Sequence, residues 1–349
     1  MSVRNAISGR KILLMLGTSA VFLALLLQPD TVTSAVTRAS ESFYIRLVPV
    51  LFPYMVLSHF FCTYGLLDPL DALIPAGKLF GMGKGAFPVF LMGHLCGYPV
   101  GAKMAAETVR QGRLSKNQGA ILCAVSSGAS PAFLLYAAGG ACWNDVHFGG
   151  FLLGIQVLSG CIGGMVLGRS VSDEAAHISA GREEVPFSRC FCEAVGGSAL
   201  QLVSIGGYIV FFSLLVEILP FPGETAALGA AFLEFSTGTR LAAETGGMKG
   251  LFCTGFAAGF GGISVLAQTS HMLSGSGISL KPYVGYKLVS GMVCGISAMV
   301  YGLAVPDILM QQSSSAVVLQ TGEPLWMAVF CGMLGMMWYF PGDRQGQER

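Results

Sequence analysis

Gly97-Tyr98-Pro99-Val100-Gly101-Ala102-Lys103-Met104-Ala105-Ala106-Glu107-Thr108 decides the fold, because it stops an apolar run near the middle of what would otherwise be a membrane span. The run covers residues 86–109, and each half is too short to cross a bilayer, which takes about 20 apolar residues. A second apolar run, 225–246, is interrupted by Ser236-Thr237-Gly238. The two share a register: Gly101, Lys103, Ala105, Ala106, Glu107 and Thr108 match Gly238, Arg240, Ala242, Ala243, Glu244 and Thr245. Paired interrupted segments of this kind read as re-entrant hairpins, which expose backbone only where protein or a cavity surrounds it.

The composition agrees. Charged residues are 11% of the 349, against about 25% in a soluble domain, and hydrophobic residues are 53%. Mean hydropathy is +0.66. So few charges cannot cover a soluble enzyme, and apolar runs without a Gly triplet period exclude disordered and collagen-like chains. A net charge of +1 offers no basic face for nucleic acid. The ten Cys stand singly apart from Cys190 and Cys192, without zinc spacing, and read as small packing residues rather than metal ligands.

The expected fold is therefore an all-α polytopic membrane protein with about eight transmembrane helices and two re-entrant hairpins. The spans fall at 12–27, 45–66, 117–138, 148–168, 198–219, 250–270, 284–304 and 324–341. Residues 12–27 follow Arg4, Arg10 and Lys11 as a signal peptide would, but no small-x-small cleavage site follows, which favours a retained span. With both termini cytoplasmic and both hairpins returning to their own side, fifteen Lys and Arg fall inside, Lys281 and Lys287 among them. Arg38, Arg46, Arg240 and Lys249 fall outside and Lys103 in a hairpin, a strong positive-inside bias.

Each hairpin is followed by a span with a polar, Gly-rich break, Ser126-Ser127-Gly128-Ala129-Ser130-Pro131 in one and Gly259-Phe260-Gly261-Gly262-Ile263-Ser264 in the other. The chain then divides into an N-terminal span (1–44), a first repeat (45–168), a cytoplasmic loop (169–197), a second repeat (198–304) and a last span with its tail (305–349). Each repeat crosses three times, an odd number, so the second copy is inverted.

Broken helices leave backbone groups that cost several kcal/mol each unless satisfied. Pro99 starts one half-helix, and Ser236 or Thr237 can cap another that begins near Gly238. Two such positive ends facing each other make an anion site, to which Lys103 and Arg240 can add charge. Each could equally pair along its own helix, with Glu107 and with Glu244. Glu234 either binds substrate or a coupling proton, or braces the second hairpin. His94 reads better as a packing histidine than as a pH sensor. Ser126, Ser127, Ser264 and Gln268 can contact ligand or allow close helix packing. No HExxH or GxSG pattern supports an intramembrane enzyme.

Gly97-Tyr98-Pro99-Val100-Gly101-Ala102-Lys103, Leu233-Glu234-Phe235-Ser236-Thr237-Gly238 and the run from Gly259 to Gln268 resemble sporulation integral membrane proteins of the YlbJ type. These belong to the nucleoside-recognition (Gate) domain group and are similar to concentrative nucleoside transporters. The resemblance covers about residues 40–305. It implies a carrier that moves dipicolinic acid from the mother cell toward the forespore, in the outer forespore membrane. Substrate contacts then fall at Gly97, Tyr98, Pro99, Gly101 and Lys103; at Ser126, Ser127 and Ser130; at Glu234, Ser236, Thr237, Gly238 and Arg240; and at Gly261, Gly262, Ser264 and Gln268. The first hairpin lacks the Gln-Thr-Glu type of tip that nucleoside transporters use for ribose and ion. A nucleoside carrier and a non-transporting sporulation scaffold stand as alternatives. The coupling ion (Na+ or H+) and a homo-oligomer are left open; no cofactor or metal is expected, and the partners are a small anionic substrate and lipid.

Overall fold

The computed structural model describes residues 9–66, 69, 80–82, 85–171, 185–219, 221–223 and 225–310. All regular structure among them is helical. α1 (Gly9–Leu27) meets α2 (Pro29–Ser42) at 97°. A π-helical turn, Phe43–Leu47, leads into α3 (Val48–Tyr64), which carries Pro53. The first interrupted stretch is α4 (Ala86–Cys96) and α5 (Val100–Arg110). α6 (Lys116–Ser126), opened by a Ser115–Gln118 capping box, ends in an extended break that resumes as a π-helical segment, Phe133–Cys142. α7 (Val146–Gly168) follows, its first turn capped by Asp145 Oδ1, which accepts from the amides of His147 and Phe148. Then come α8 (Phe187–Ile218), α9 (Ala226–Leu233), α10 (Phe235–Thr245), α11 (Gly247–Phe260), α12 (Gly262–Leu273), α13 (Lys281–Ala304) and the short α14 (Asp307–Met310).

Among the described residues four stretches are long and apolar enough to cross a membrane: 146–171, 187–218, 247–273 and 281–304, with a fifth if α1 and α2 form one bent span. The expected spans at 45–66 and 117–138 are helical but interrupted, by the π-helical turn and by the break after Ser126. The one at 324–341 lies outside the described residues. The protein is a multi-pass integral membrane protein.

Both interrupted stretches fold back as hairpins, and residues aligned in the sequence sit at the same place in each. A Cβ at Gly101 would lie 3.1 Å from Gly93 Cα, and one at Gly238 only 2.3 Å from Ala231 Cα. These two positions let the arms of each hairpin touch backbone to backbone. The second break falls at Glu234, earlier than the expected Ser236-Thr237-Gly238. The Glu234 carboxylate accepts from the amides of Ser236 (3.2 Å) and Thr237 (2.7 Å), so helix starts at Phe235 and continues through Gly238. A carboxylate is the stronger cap at a helix N-terminus because it also meets the helix dipole.

α8 joins the two ends of the molecule. Glu193 lies near one end and Glu217 near the other, about 36 Å apart at 1.5 Å per residue, more than the roughly 30 Å of bilayer hydrocarbon. Glu217 meets Arg38 and Arg240, and Arg240 also pairs with Glu244 at 2.6 Å. At the Glu193 end, Lys103, Glu107, Arg110, His59 and His271 border a cavity of about 330 Å³. The cations and acids aligned in the two hairpins thus serve opposite ends.

Candidate functional site

Four interruptions meet inside the protein: the tip at 97–99, the break at 127–130, the tip at 233–234 and the break at Gly261. A Cβ at Gly97 would lie 2.7 Å from Ser130 N, so the first tip rests on the broken span that follows it. Its Tyr98 hydroxyl donates to the Ala258 carbonyl at 3.2 Å and lies 3.1 Å from where a Gly261 Cβ would be. Gly261 has φ +88 and Gly97 φ +78, a region open to glycine at little cost. The second tip touches the same break, since a Cβ at Gly262 would lie 2.9 Å from the Leu233 carbonyl. The two hairpins meet through Phe235, whose ring lies 5.6 Å from that of Tyr98 and 4.7 Å from that of Phe133.

The chain's own side chains satisfy most of the freed backbone. Ser127 Oγ donates to the Cys123 carbonyl at 2.7 Å. The Gln156 amide, reaching over from α7, clamps Ala129 by accepting from its N–H (2.9 Å) and donating to its carbonyl (3.0 Å). Ser130 Oγ accepts from Phe133 N and caps the resumed helix. The Ser127 carbonyl takes an N–H from the Lys287 amine at 2.8 Å, and the same amine donates to Tyr98 Oη at 2.8 Å. Such pairing is what a helix broken inside a bilayer requires.

Lys287 is the correction with most consequence. Counted on the cytoplasmic side at the start of the expected span 284–304, it is the seventh residue of α13, with none of its surface exposed. Its signal was the pattern Tyr283-x-x-x-Lys287, an i,i+4 pair of which both members are buried. Gln156 is the other residue the sequence reading passed over.

Of the candidate contact residues, Tyr98, Ser127 and Ser130 are in this junction. Ser126 Oγ is buried there without a hydrogen-bond partner among the described residues. The Tyr283 hydroxyl faces the hydroxyls of Thr269 and Ser127. Glu234 is fully buried, and Ser236 Oγ donates to it at 2.6 Å. Thr237 Oγ1 and Ser213 Oγ share a hydrogen bond, and Gln268 Nε2 donates to Ser264 Oγ. Lys103 borders the cavity at one end and Arg240 lies exposed at the other, so neither cation reaches the junction. His94 donates Nδ1–H to the Phe90 carbonyl and packs on the Phe90 ring at 4.4 Å, a packing histidine.

Broken helices converging on a buried polar centre within a multi-pass helical bundle define the class as a polytopic membrane protein with a discontinuous-helix core. The chain is similar to the sporulation integral membrane protein YlbJ of Bacillus subtilis (strain 168), 24% identical over 297 residues with 72% of each chain covered, and is a YlbJ-type relative. No family model matches the chain. No solved structure matches it.

Proposed function

We propose that the protein is a secondary carrier for a small anionic metabolite, working by alternating access around the junction of its four backbone breaks. The observation that carries this reading is the convergence of those breaks on buried hydroxyls and a buried amine, because irregular backbone at membrane depth belongs to binding sites and pathways. In this reading residues 45–168 and 198–304 are inverted copies within an eight-span topology. The equivalent places of Gly101 and Gly238, and the opposite ends served by Lys103–Glu107 and Arg240–Glu244, support it. The cavity at the Lys103 end is the entrance, and both termini are cytoplasmic.

The favoured substrate is dipicolinate, a small aromatic dicarboxylate. It agrees with the resemblance, with the sporulation membrane protein named among its relatives, and with the positive end of α5 at the first tip. In this reading the protein serves sporulation from the outer forespore membrane facing the mother cell.

The test is exchange of radiolabelled dipicolinate across proteoliposomes loaded with unlabelled dipicolinate. The native protein is expected to exchange it, and Lys103→Ala to slow exchange by about tenfold, equivalent to about 1.4 kcal/mol. Arg240→Ala is expected to slow it less. Exchange of uridine but not dipicolinate would favour the nucleoside carrier; exchange of neither would favour the scaffold.

A further inference from the structure

Lys287 and Glu234 are the two fully buried side chains of charged type among the described residues, and they are not each other's hydrogen-bond partner. Glu234 is committed to the first turn of α10. Lys287 has two acceptors, the Ser127 carbonyl and Tyr98 Oη, both at 2.8 Å and both neutral. The Tyr98 ring centroid is 5.0 Å from Nζ, which lies off the hydroxyl end of the ring, so the ring face does not replace a counter-ion.

Hydrogen-bond counting is informative here. A neutral amine has two N–H groups and an ammonium three. The two acceptors present match the neutral amine. A third N–H would need another acceptor, and a buried ammonium without a counter-ion costs several kcal/mol. The groups facing Nζ are Tyr98 from the first tip, His94 of α4, Cys123 of α6, and Tyr283 and Cys294 of α13, with no carboxylate among them. The charged-type residues of the other packed helices are remote. His147 is about 18 Å along α7 from Ser159, the residue that meets Tyr286 beside Lys287, and Lys249 is about 14 Å along α11 from Ala258. Beside Lys287 the Tyr283 hydroxyl meets the hydroxyls of Thr269 and Ser127. The one carboxylate at the tips, Glu234, is taken up by Ser236 and Thr237, so among the described residues no anionic acceptor is hydrogen-bonded to Lys287.

Building on the carrier reading above, we propose that Lys287 is the coupling site: it takes up one proton as a carboxylate of the substrate enters the junction, and releases it as the substrate leaves. The amine plus one proton becomes the ammonium, whose third N–H goes to the carboxylate while Tyr98 and Ser127 keep the other two. On release the proton passes to water on the far side. One proton travels with one dianion, so each cycle moves a net single negative charge. The coupling ion is then H+, and neither Na+ nor another metal ion is needed.

The experiment measures proton uptake when dipicolinate is added to the purified full-length protein in weak buffer containing a pH dye, beside the exchange assay. The native protein is expected to take up about one proton per dipicolinate bound. Lys287→Arg keeps a cation that does not deprotonate; whatever dipicolinate it binds is expected to bind without proton uptake, and net uptake is expected to lose its acceleration by a pH gradient. Lys287→Met is expected to lose binding and proton uptake together. Should neither variant fold, Tyr98→Phe serves instead. Removing one acceptor disfavours the ammonium, so the pH of half-maximal proton uptake is expected to fall. Exchange by the native protein without proton uptake, uptake surviving in Lys287→Arg, or an unmoved midpoint in Tyr98→Phe overturns the coupling role and leaves the carrier reading standing. Absence of both binding and exchange overturns the carrier reading and this inference with it.

Discussion

The two hairpin tips solve one problem in opposite ways. Both interrupt a helix inside the protein and both must satisfy the backbone that the interruption frees. The second tip does so alone: Glu234, two and three residues before its partners, folds its carboxylate onto the amides of Ser236 and Thr237. The first tip carries no acid and holds its surroundings through Tyr98, whose hydroxyl links Lys287 of α13 to the Ala258 carbonyl of α11. The first tip's backbone is also paired locally, Gly97 N–H with the Gly93 carbonyl and Val100 N–H with the Gly97 carbonyl, but its side chain is tied to helices about 160 and 190 residues away. A self-contained tip can move as a unit. A tip held by distant partners moves only when those partners change.

The sharpest way to break this contrast is Glu234→Ala. It leaves two amides and the Ser236 hydroxyl without their acceptor, and a loss of about 3 kcal/mol is expected in reversible unfolding in mixed micelles. If the loss is no greater than that of an exposed ion pair, the second tip is not self-capped. Next is Gly238→Ala, whose new Cβ would lie 2.3 Å from backbone and must push the arms apart. About 2 kcal/mol is expected from overpacking. Gly101→Ala meets its nearest atoms at 3.0 to 3.1 Å, one of them a serine hydroxyl, and should cost less than half as much in the same assay. Equal costs would erase the difference between the two hairpins. Tyr98→Phe removes the link at the first tip and should cost about 1 kcal/mol. The smallest change belongs to Arg240→Ala, a half-exposed pair at the rim, where a loss of under about 1 kcal/mol is expected, shrinking further in high salt.

Much of this was legible from residue order. Both interruptions, the Gly-rich breaks after them and the fourth, fifth, sixth and seventh spans follow from apolar run length, because a bilayer imposes one length on every crossing. The second break was misplaced by a few residues: Ser-Thr-Gly looks like a cap and a hinge, but a carboxylate just upstream outcompetes both hydroxyls for the same amides. Lys287 was misread for a different reason. A lysine at the fourth position of an apolar run looks like a snorkelling residue, and the approach of Tyr98 and of the Ser127 carbonyl from distant segments makes it interior. Gln156 likewise acquires its role from Ala129, 27 residues away. Local pattern reports where helices stop; which distant side chain answers each stop is tertiary information.

α8 has one more consequence. Its 32 residues make a rod of about 48 Å, longer than the 40–45 Å of a whole bilayer with headgroups. Near one end Phe187 stacks with Phe60 and with Phe191, an aromatic cluster beside Tyr64, which stacks on Phe60. A rod too long for its slab leans, and the lean is set by acyl-chain length. Since the rod flanks the Lys103 cavity at one end and touches Arg240 of the second hairpin at the other, lipid thickness becomes a mechanical input to both ends of the molecule at once.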